Sequence, residues 1–323
     1  MIPPLVLLAL LITTAAITLA SELELCPLPH DAAARYARDL ALPHVKPETF
    51  EGIVVRRGLE YAARGDRSMK LDLYLPPQAE ENKVPCVVVI RGGGFKAADR
   101  SGFAPLAAYF AANGFAAACI DYRGRPNHEF IDTIADTKAA VCCIRAAGSL
   151  YGIDTDRIAA FGQSAGGHLA LMLAVSADLP ELEGHGGRQE VSSRVQAAVS
   201  WSGVFDFVSR LKEGGHQKKD REKKRRTIGE WVGEPFDVAS EKWRTASPFY
   251  HLSPGAAPAL FVHCKGDPVA PVEQSLQMHK SLRRHAPTSR LLLLDGTRHG
   301  ISRIPELNRK AWAATFEFLT DVL

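Results

Sequence analysis

The sequence contains no C-x-x-C pair, no Gly-x-x-x-x-Gly-Lys-Ser/Thr loop and no Gly-x-Gly-x-x-Gly spacing. Without paired thiols a redox motif or a cysteine-built metal site is excluded, and without the glycine fingerprints nucleotide binding has no support. Excess charge is missing too. A net charge of +3 with 23% charged residues gives no global attraction to nucleic acid, a membrane surface or acidic substrates. Any special basic region is therefore local. The chain also lacks an internal repeat, which removes solenoids and propellers.

The start of the chain lacks charge altogether. From Ile2 to Ala20 no residue is ionisable; small residues (Ala15, Ala16, Thr18, Ala20) end the run, and Ser21-Glu22-Leu23-Glu24 follows. This pattern predicts export by a signal cleaved near Ala20, or a membrane anchor if the run is retained, since about nineteen apolar residues span a bilayer. No Lys or Arg precedes the run, and bulky Leu25 before Cys26 argues against lipid attachment there. Residues 21–49, polar and proline-containing, read as a leader ahead of one domain at 50–323.

The six cysteines fit a core more than a disulfide framework. Cys86 and Cys119 lie in apolar strand-like runs, Cys142 and Cys143 in a helical run, and Cys264 at a strand end. A bridge from Cys26 to another cysteine stays open.

With 46% hydrophobic residues in 323, one large core is feasible. Residues 53–56 and 69–75 alternate apolar with polar as half-buried strands do, whereas Val84–Ile90 is continuously apolar, as a strand covered on both faces is. Helical and strand-like segments then alternate: a helix over 103–113, a strand over 115–120, a helix over 131–150, strands at 157–161 and 195–201. After an interruption at about 205–250 come a strand at 259–263, a helix at 272–285, a strand at 290–294 and a helix from 306. This order predicts an α/β fold with a mostly parallel sheet, helices on both faces and a small inserted cap.

Within it, Arg157–Phe161 runs into Gly162-Gln163-Ser164-Ala165-Gly166 and then a helix-forming stretch. A serine on a sharp strand-to-helix turn is an exposed candidate nucleophile. Its hydroxyl is weak until an imidazole takes its proton, and the imidazole needs a carboxylate partner. Reactive groups of such sheets gather at the carboxyl ends of strands. Asp267, just past the strand ending near His263, and His299, just past the last strand, fit. Asp295 is a weaker rival because it adjoins the base in sequence; His168 and His263 read as packed core histidines. Gly92-Gly93-Gly94 after a buried strand can expose backbone N–H groups. Gly93, Gly94 and Ala165 are the expected oxyanion donors.

The runs V-V-V-I-R-G-G-G-F, I-D-Y-R, Y-G-I-D-T-D-R-I-A-A-F-G-Q-S-A-G-G-H-L-A, V-H-C-K-G-D-P-V-A-P and G-T-R-H-G resemble α/β-hydrolase carboxylesterases of the hormone-sensitive-lipase-like and feruloyl or acetyl-xylan esterase-like (BD-FAE-type) group. The resemblance spans about residues 50 to 320. It implies the α/β-hydrolase fold, Ser164 as nucleophile, Asp267 as acid, His299 as base, the 92–94 loop as oxyanion hole, ester substrates, and no metal or organic cofactor. One departure stands out: Arg91 occupies a place where such relatives carry His. An arginine there orients the loop, aids an anionic substrate, or marks a lost activity.

Other residues read as structural. Arg123 is placed to pair with Asp132 or Asp136, and Asp206 to cap a loop. The basic run Lys218–Arg226 reads as a solvated helix face or loop, the alternative being attraction of an acidic polymer or membrane. Trp231 and Trp243 are cap-core or pocket residues. The leading expectation is thus a serine carboxylesterase for small-molecule or polysaccharide-linked esters. A prolyl-oligopeptidase-type serine peptidase and a non-catalytic α/β-hydrolase homologue are the alternatives. The sequence carries no signal for nucleic acid or for an oligomeric state.

Overall fold

The run Val84–Ile90 forms a strand buried along nearly its whole length, because parallel strands are covered on both faces and can be apolar at every position. The computed structural model describes residues 26–323 except 66, 178, 185–187, 189 and 213–217; the apolar run at 1–20, and the expectation of export or anchoring, lies outside them. Nine strands are present among the described residues: β1 (Cys26–Pro27), β2 (Val54–Arg64), β3 (Arg67–Leu75), β4 (Val84–Ile90), β5 (Ala116–Ile120), β6 (Ile153–Gln163), β7 (Ala197–Trp201), β8 (Ala259–Cys264) and β9 (Arg290–Leu294). They form one sheet in the order β1-β2-β3-β5-β4-β6-β7-β8-β9. Pairing is antiparallel from β1 to β5 through β2 and β3, and parallel from β5 onward.

The helices are α1 (His30–Asp39), α2 (Ala104–Ala112), α3 (Phe130–Ala147), α4 (Ala165–Val175), α5 (Phe207–Lys212), α6 (Lys218–Val232), α7 (Glu241–Thr245), α8 (Glu273–Leu282) and α9 (Pro305–Val322). One face of the sheet packs Ile134, Leu169, Met172 and Met278 from α3, α4 and α8. The opposite face packs Tyr36, Phe110, Trp312 and Phe318 from α1, α2 and α9. Among the described residues no helix is long and apolar enough to cross a membrane.

Two expectations are corrected. Residues 26–49 are no leader: β1 extends the sheet, and Tyr36, Leu40, Leu42 and Val45 are buried beneath α9, whose Asn308 Nδ2 donates to the Leu40 carbonyl at 2.7 Å. The buried stripe of α1 is short (Ala32, Ala33, Tyr36), so charged neighbours mask it in the sequence. The first strand also runs well past residue 56. Register shifts between Arg56 and Leu59 and between Glu60 and Ala62 break its alternation, as β-bulges do.

Among the described residues, the insertion between β7 and β8 forms a cap with three helices, α5, α6 and α7. The basic run begins α6. Glu222, Lys223 and Arg226 face solvent as expected, but Lys224 is half-buried, on the helical stripe that continues through buried Ile228 and Trp231. Trp231 and Trp243 are fully buried core residues of the cap. Trp231 stacks on Phe95 at 3.9 Å and donates from Nε1 to Thr133 Oγ1 at 2.9 Å.

Candidate active site

Four strand ends converge. β4 leads into the 92–94 loop, β6 into Ser164, β8 toward Asp267 and β9 toward His299. Ser164 has φ 57° and ψ −120°, a left-handed conformation that a residue with a Cβ rarely adopts. Close packing holds it there. A Cβ on Gly162 would lie 2.2 Å from Gly166 O, one on Gly166 2.1 Å from Ile90 O, and one on Gly167 2.4 Å from Ser200 Oγ. The turn thus requires glycine on both sides of the serine, and Ser164 N donates to Trp201 O at 2.8 Å, pinning it to β7.

The structure brings the three expected side chains together. Ser164 Oγ lies 2.7 Å from His299 Nε2, and His299 Nδ1 lies 2.7 Å from Asp267 Oδ2. With Nδ1–H donating to a carboxylate, Nε2 carries a lone pair and accepts from the serine hydroxyl. Asp267 is buried, its Oδ1 accepting from the amides of Val269 at 2.7 Å and Ala270 at 3.0 Å. Burial pushes its carboxyl up, but hydrogen bonds from His263, His299 and the Ala270 amide outweigh that and hold it well below the usual carboxylate range. It is therefore ionised at neutral pH.

His263 does more than fill the core. Its Nε2 lies 3.4 Å from Asp267 Oδ2 and 3.0 Å from Ala270 O, while Nδ1 meets Ser275 Oγ at 2.6 Å. Two acceptors around Nε2 make it the protonated nitrogen, so the ring supports the same Asp267 oxygen that His299 engages. Its position four residues before Asp267 is the only sequence signal of that role. The rival acid Asp295 is solvent-exposed and pairs with Lys265 at 2.7 Å. His168 is packed, as expected: Nδ1 donates to Val204 O at 2.6 Å, its ring stacks on Phe207, and burial lowers its pKa to about 3.

The amides of Gly93, Gly94 and Ala165 donate to no acceptor among the described residues, and Gly94 and Ala165 line the same cavity as Ser164 and His299. Gly93 has φ 136° and Gly94 φ 63°, so the loop turns where side chains are disfavoured. Arg125 Nε donates to Gly94 O at 2.7 Å and Tyr122 Oη to Arg91 O at 2.5 Å, fixing the loop from behind. The Arg91 side chain lies over Gly102, where a Cβ would meet its Nε at 2.5 Å, and it does not line the cavity. Arg123 pairs with Asp136 at 2.9 Å and Asp132 at 3.0 Å, and Asp206 Oδ1 accepts from Ser209 N at 3.0 Å, both as the sequence suggests.

The cavity measures about 170 Å³ and is closed on its cap side by Arg210, Lys224, Thr227 and Ile228. All six cysteines are free, Cys26 exposed. Among the described residues no group of three or more His, Cys, Asp or Glu is arranged to hold a metal ion.

Residues 71–282 match the BD-FAE family. The chain is 32% identical over 234 residues to the probable carboxylic ester hydrolase LipM of Mycobacterium tuberculosis, covering 70% of this chain and 53% of that protein. It is 27% identical over 247 residues to the isoprenylcysteine alpha-carbonyl methylesterase ICME of Arabidopsis thaliana, covering 76% and 56%. The chain thus spans about half the length of these curated relatives. Among solved structures, the thermophilic esterase Est2 of Thermogutta terrifontis superposes with a TM-score of 0.66 at 26% identity, over 84% of this chain and 93% of that one. A carbohydrate esterase from gut microbiota, 22% identical with a TM-score of 0.71, over 83% of this chain and 95% of that one, shares the fold. Because the matched region runs from β3 to the end of α8 and includes the serine turn and Asp267, the chain belongs to the BD-FAE family and has the α/β-hydrolase fold.

Proposed function

We propose that the protein is a serine carboxylic ester hydrolase working through an acyl-enzyme. The observation that carries this reading is the unbroken relay Ser164–His299–Asp267, with both links at 2.7 Å, on a strained turn beside the backbone amides of the 92–94 loop and Ala165. Ser164 attacks the ester carbonyl while His299 Nε2 takes its proton. Asp267 holds the tautomer and offsets the imidazolium charge. The amides of Gly94 and Ala165, with Gly93 behind them, stabilise the oxyanion, and His299 returns the proton to the leaving alcohol. A water activated by the same imidazole then releases the acid. The names of the curated relatives, ester hydrolases and methylesterases, support ester rather than amide substrates.

A cavity of about 170 Å³ holds roughly six waters' worth of volume, which favours a short acyl or aryl group. We also propose, from the apolar run at 1–20, that the enzyme acts outside the cytoplasm, either released or anchored. The test is hydrolysis of p-nitrophenyl esters from acetate to dodecanoate beside the Ser164→Ala protein. Turnover should be greatest for the shortest chains and vanish in the variant. An intact protein that neither hydrolyses the series nor reacts at Ser164 with a fluorophosphonate overturns the reading.

A further inference from the structure

Asp267 is gripped by a ring of bonds that the proton transfer itself does not require. His263 lies in β8, fully buried, and its backbone pairs with Leu293 of β9. Its Nε2–H donates to the Ala270 carbonyl at 3.0 Å and sits 3.4 Å from Asp267 Oδ2. The Ala270 amide in turn donates to the other carboxylate oxygen, Oδ1, at 3.0 Å. The ring therefore closes from one oxygen of Asp267 to the other through Ala270 and His263. Val269 and Ala270, which it holds in place, line the Ser164 cavity.

The ring is anchored from its far side. Ser275 of α8, also fully buried, donates its hydroxyl to His263 Nδ1 at 2.6 Å. A ring nitrogen that accepts a hydrogen bond carries no proton, so this contact fixes the Nε2–H tautomer. His263 and His299 address the same oxygen, Asp267 Oδ2. The more of that oxygen's charge His263 stabilises, the less remains to hold an imidazolium at His299. Burial pushes the Asp267 carboxyl up, and the bond from His263, followed by that from His299, holds it well below the usual carboxylate range.

Resting on the esterase reading, we infer that His263 is a positioning residue of the reaction: it fixes the Asp267 carboxylate and takes up part of the charge on Oδ2, so that His299 remains a free base for Ser164 further into acid. Without that N–H, Oδ2 holds the imidazolium more tightly, and the pH at which His299 loses its proton rises. The other charged or titratable groups around Asp267 and His299 are Arg210 on α5, Lys224 on α6, Cys264 on β8, Arg125 with its partner Glu230, and Arg298 beside the imidazole in sequence. None of them changes in the variants below, so a difference in pH profile reads His263.

His263→Asn and His263→Gln separate the two ring nitrogens. The shorter amide reaches only the place of Nδ1, beside Ser275, whereas the longer one reaches the place of Nε2, beside Asp267. On p-nitrophenyl acetate, His263→Asn should lower kcat by about tenfold with KM within about twofold, and move the acid limb of kcat/KM up by about half a pH unit. His263→Gln should bring the limb back to within about 0.2 unit of wild type and recover most of kcat. A histidine that only fills the core would, when replaced, slow turnover at every pH and leave the limb where it was. That outcome, or matching profiles for the two variants, overturns the inference and leaves the esterase reading standing. Thermal melts check folding. Should His263→Asn not fold, Ser275→Ala, which keeps the ring but frees its tautomer, should move the limb the same way by about 0.3 unit, and an unmoved limb there also overturns it. A wild-type protein that turns over no ester and takes no fluorophosphonate at Ser164 overturns both.

Discussion

The two walls of the Ser164 cavity are built by different means. The scaffold wall consists of strand ends and a glycine-locked turn, and its working groups are a hydroxyl, backbone amides and an imidazole. The cap wall consists of side chains on short helices, and its working groups are ammonium and guanidinium. The scaffold positions atoms by forbidding alternatives: a Cβ at Gly166 has nowhere to go. The cap positions charge by reach, through long side chains hooked onto one carbonyl. On the proposed reading, chemistry belongs to the rigid wall, while the cap supplies shape and charge.

Substitutions can break that division. The largest effect falls on the scaffold: Ser164→Ala should lower kcat for every ester by about 10⁴-fold or more, with charged and neutral substrates equally affected in stopped assays. Asp267→Asn should follow at about 10⁴-fold in kcat with KM little changed, since the amide disturbs the tautomer of His299. Gly166→Ala should act on folding, lowering stability by about 3 kcal/mol in a denaturant titration, because its Cβ would lie 2.1 Å from the backbone oxygen of Ile90. Equal stability of this variant would show that the turn can relax.

A smaller effect tests the loop behind the cavity. Arg91→His should have the least consequence, leaving esterase turnover within about twofold, because the Arg91 side chain lies along Gly102 rather than in the cavity. Loss of turnover there would give Arg91 a specific part in shaping the glycine loop.

How much of each wall could be read in the sequence follows from the same contrast. Ser164 and the 92–94 glycines announce themselves locally, since steric prohibition leaves glycine signatures at fixed spacing. Asp267 and His299 were legible because strands β8 and β9 end in short apolar runs just before them. In the sequence His263 stands only as a core histidine, for its contact with Asp267 depends on how the chain turns between them. Lys224 belongs there to one solvated basic run with its neighbours. Its place on the Ile228–Trp231 stripe separates it from Lys223 and Arg226, but a charged residue on an apolar stripe gains meaning only once the partner surface is known. Residues 26–49 escape a local reading for the same reason: besides the pairing of β1 with β2, what ties them to the domain includes contact with α9, far away in sequence.

That contact also orders events in time. The Leu40 carbonyl waits for Asn308, and Tyr36 and Leu42 share a core with Trp312 and Phe318. A chain emerging from the ribosome delivers α1 and α2 well before α9. The part of the sheet face that α9 covers therefore stays bare until Pro305–Val322 arrives, even though α1 and α2 can already sit on the same face. For this protein the arrival of α9 is what ends the period in which a chaperone or a sticky neighbour can take hold there.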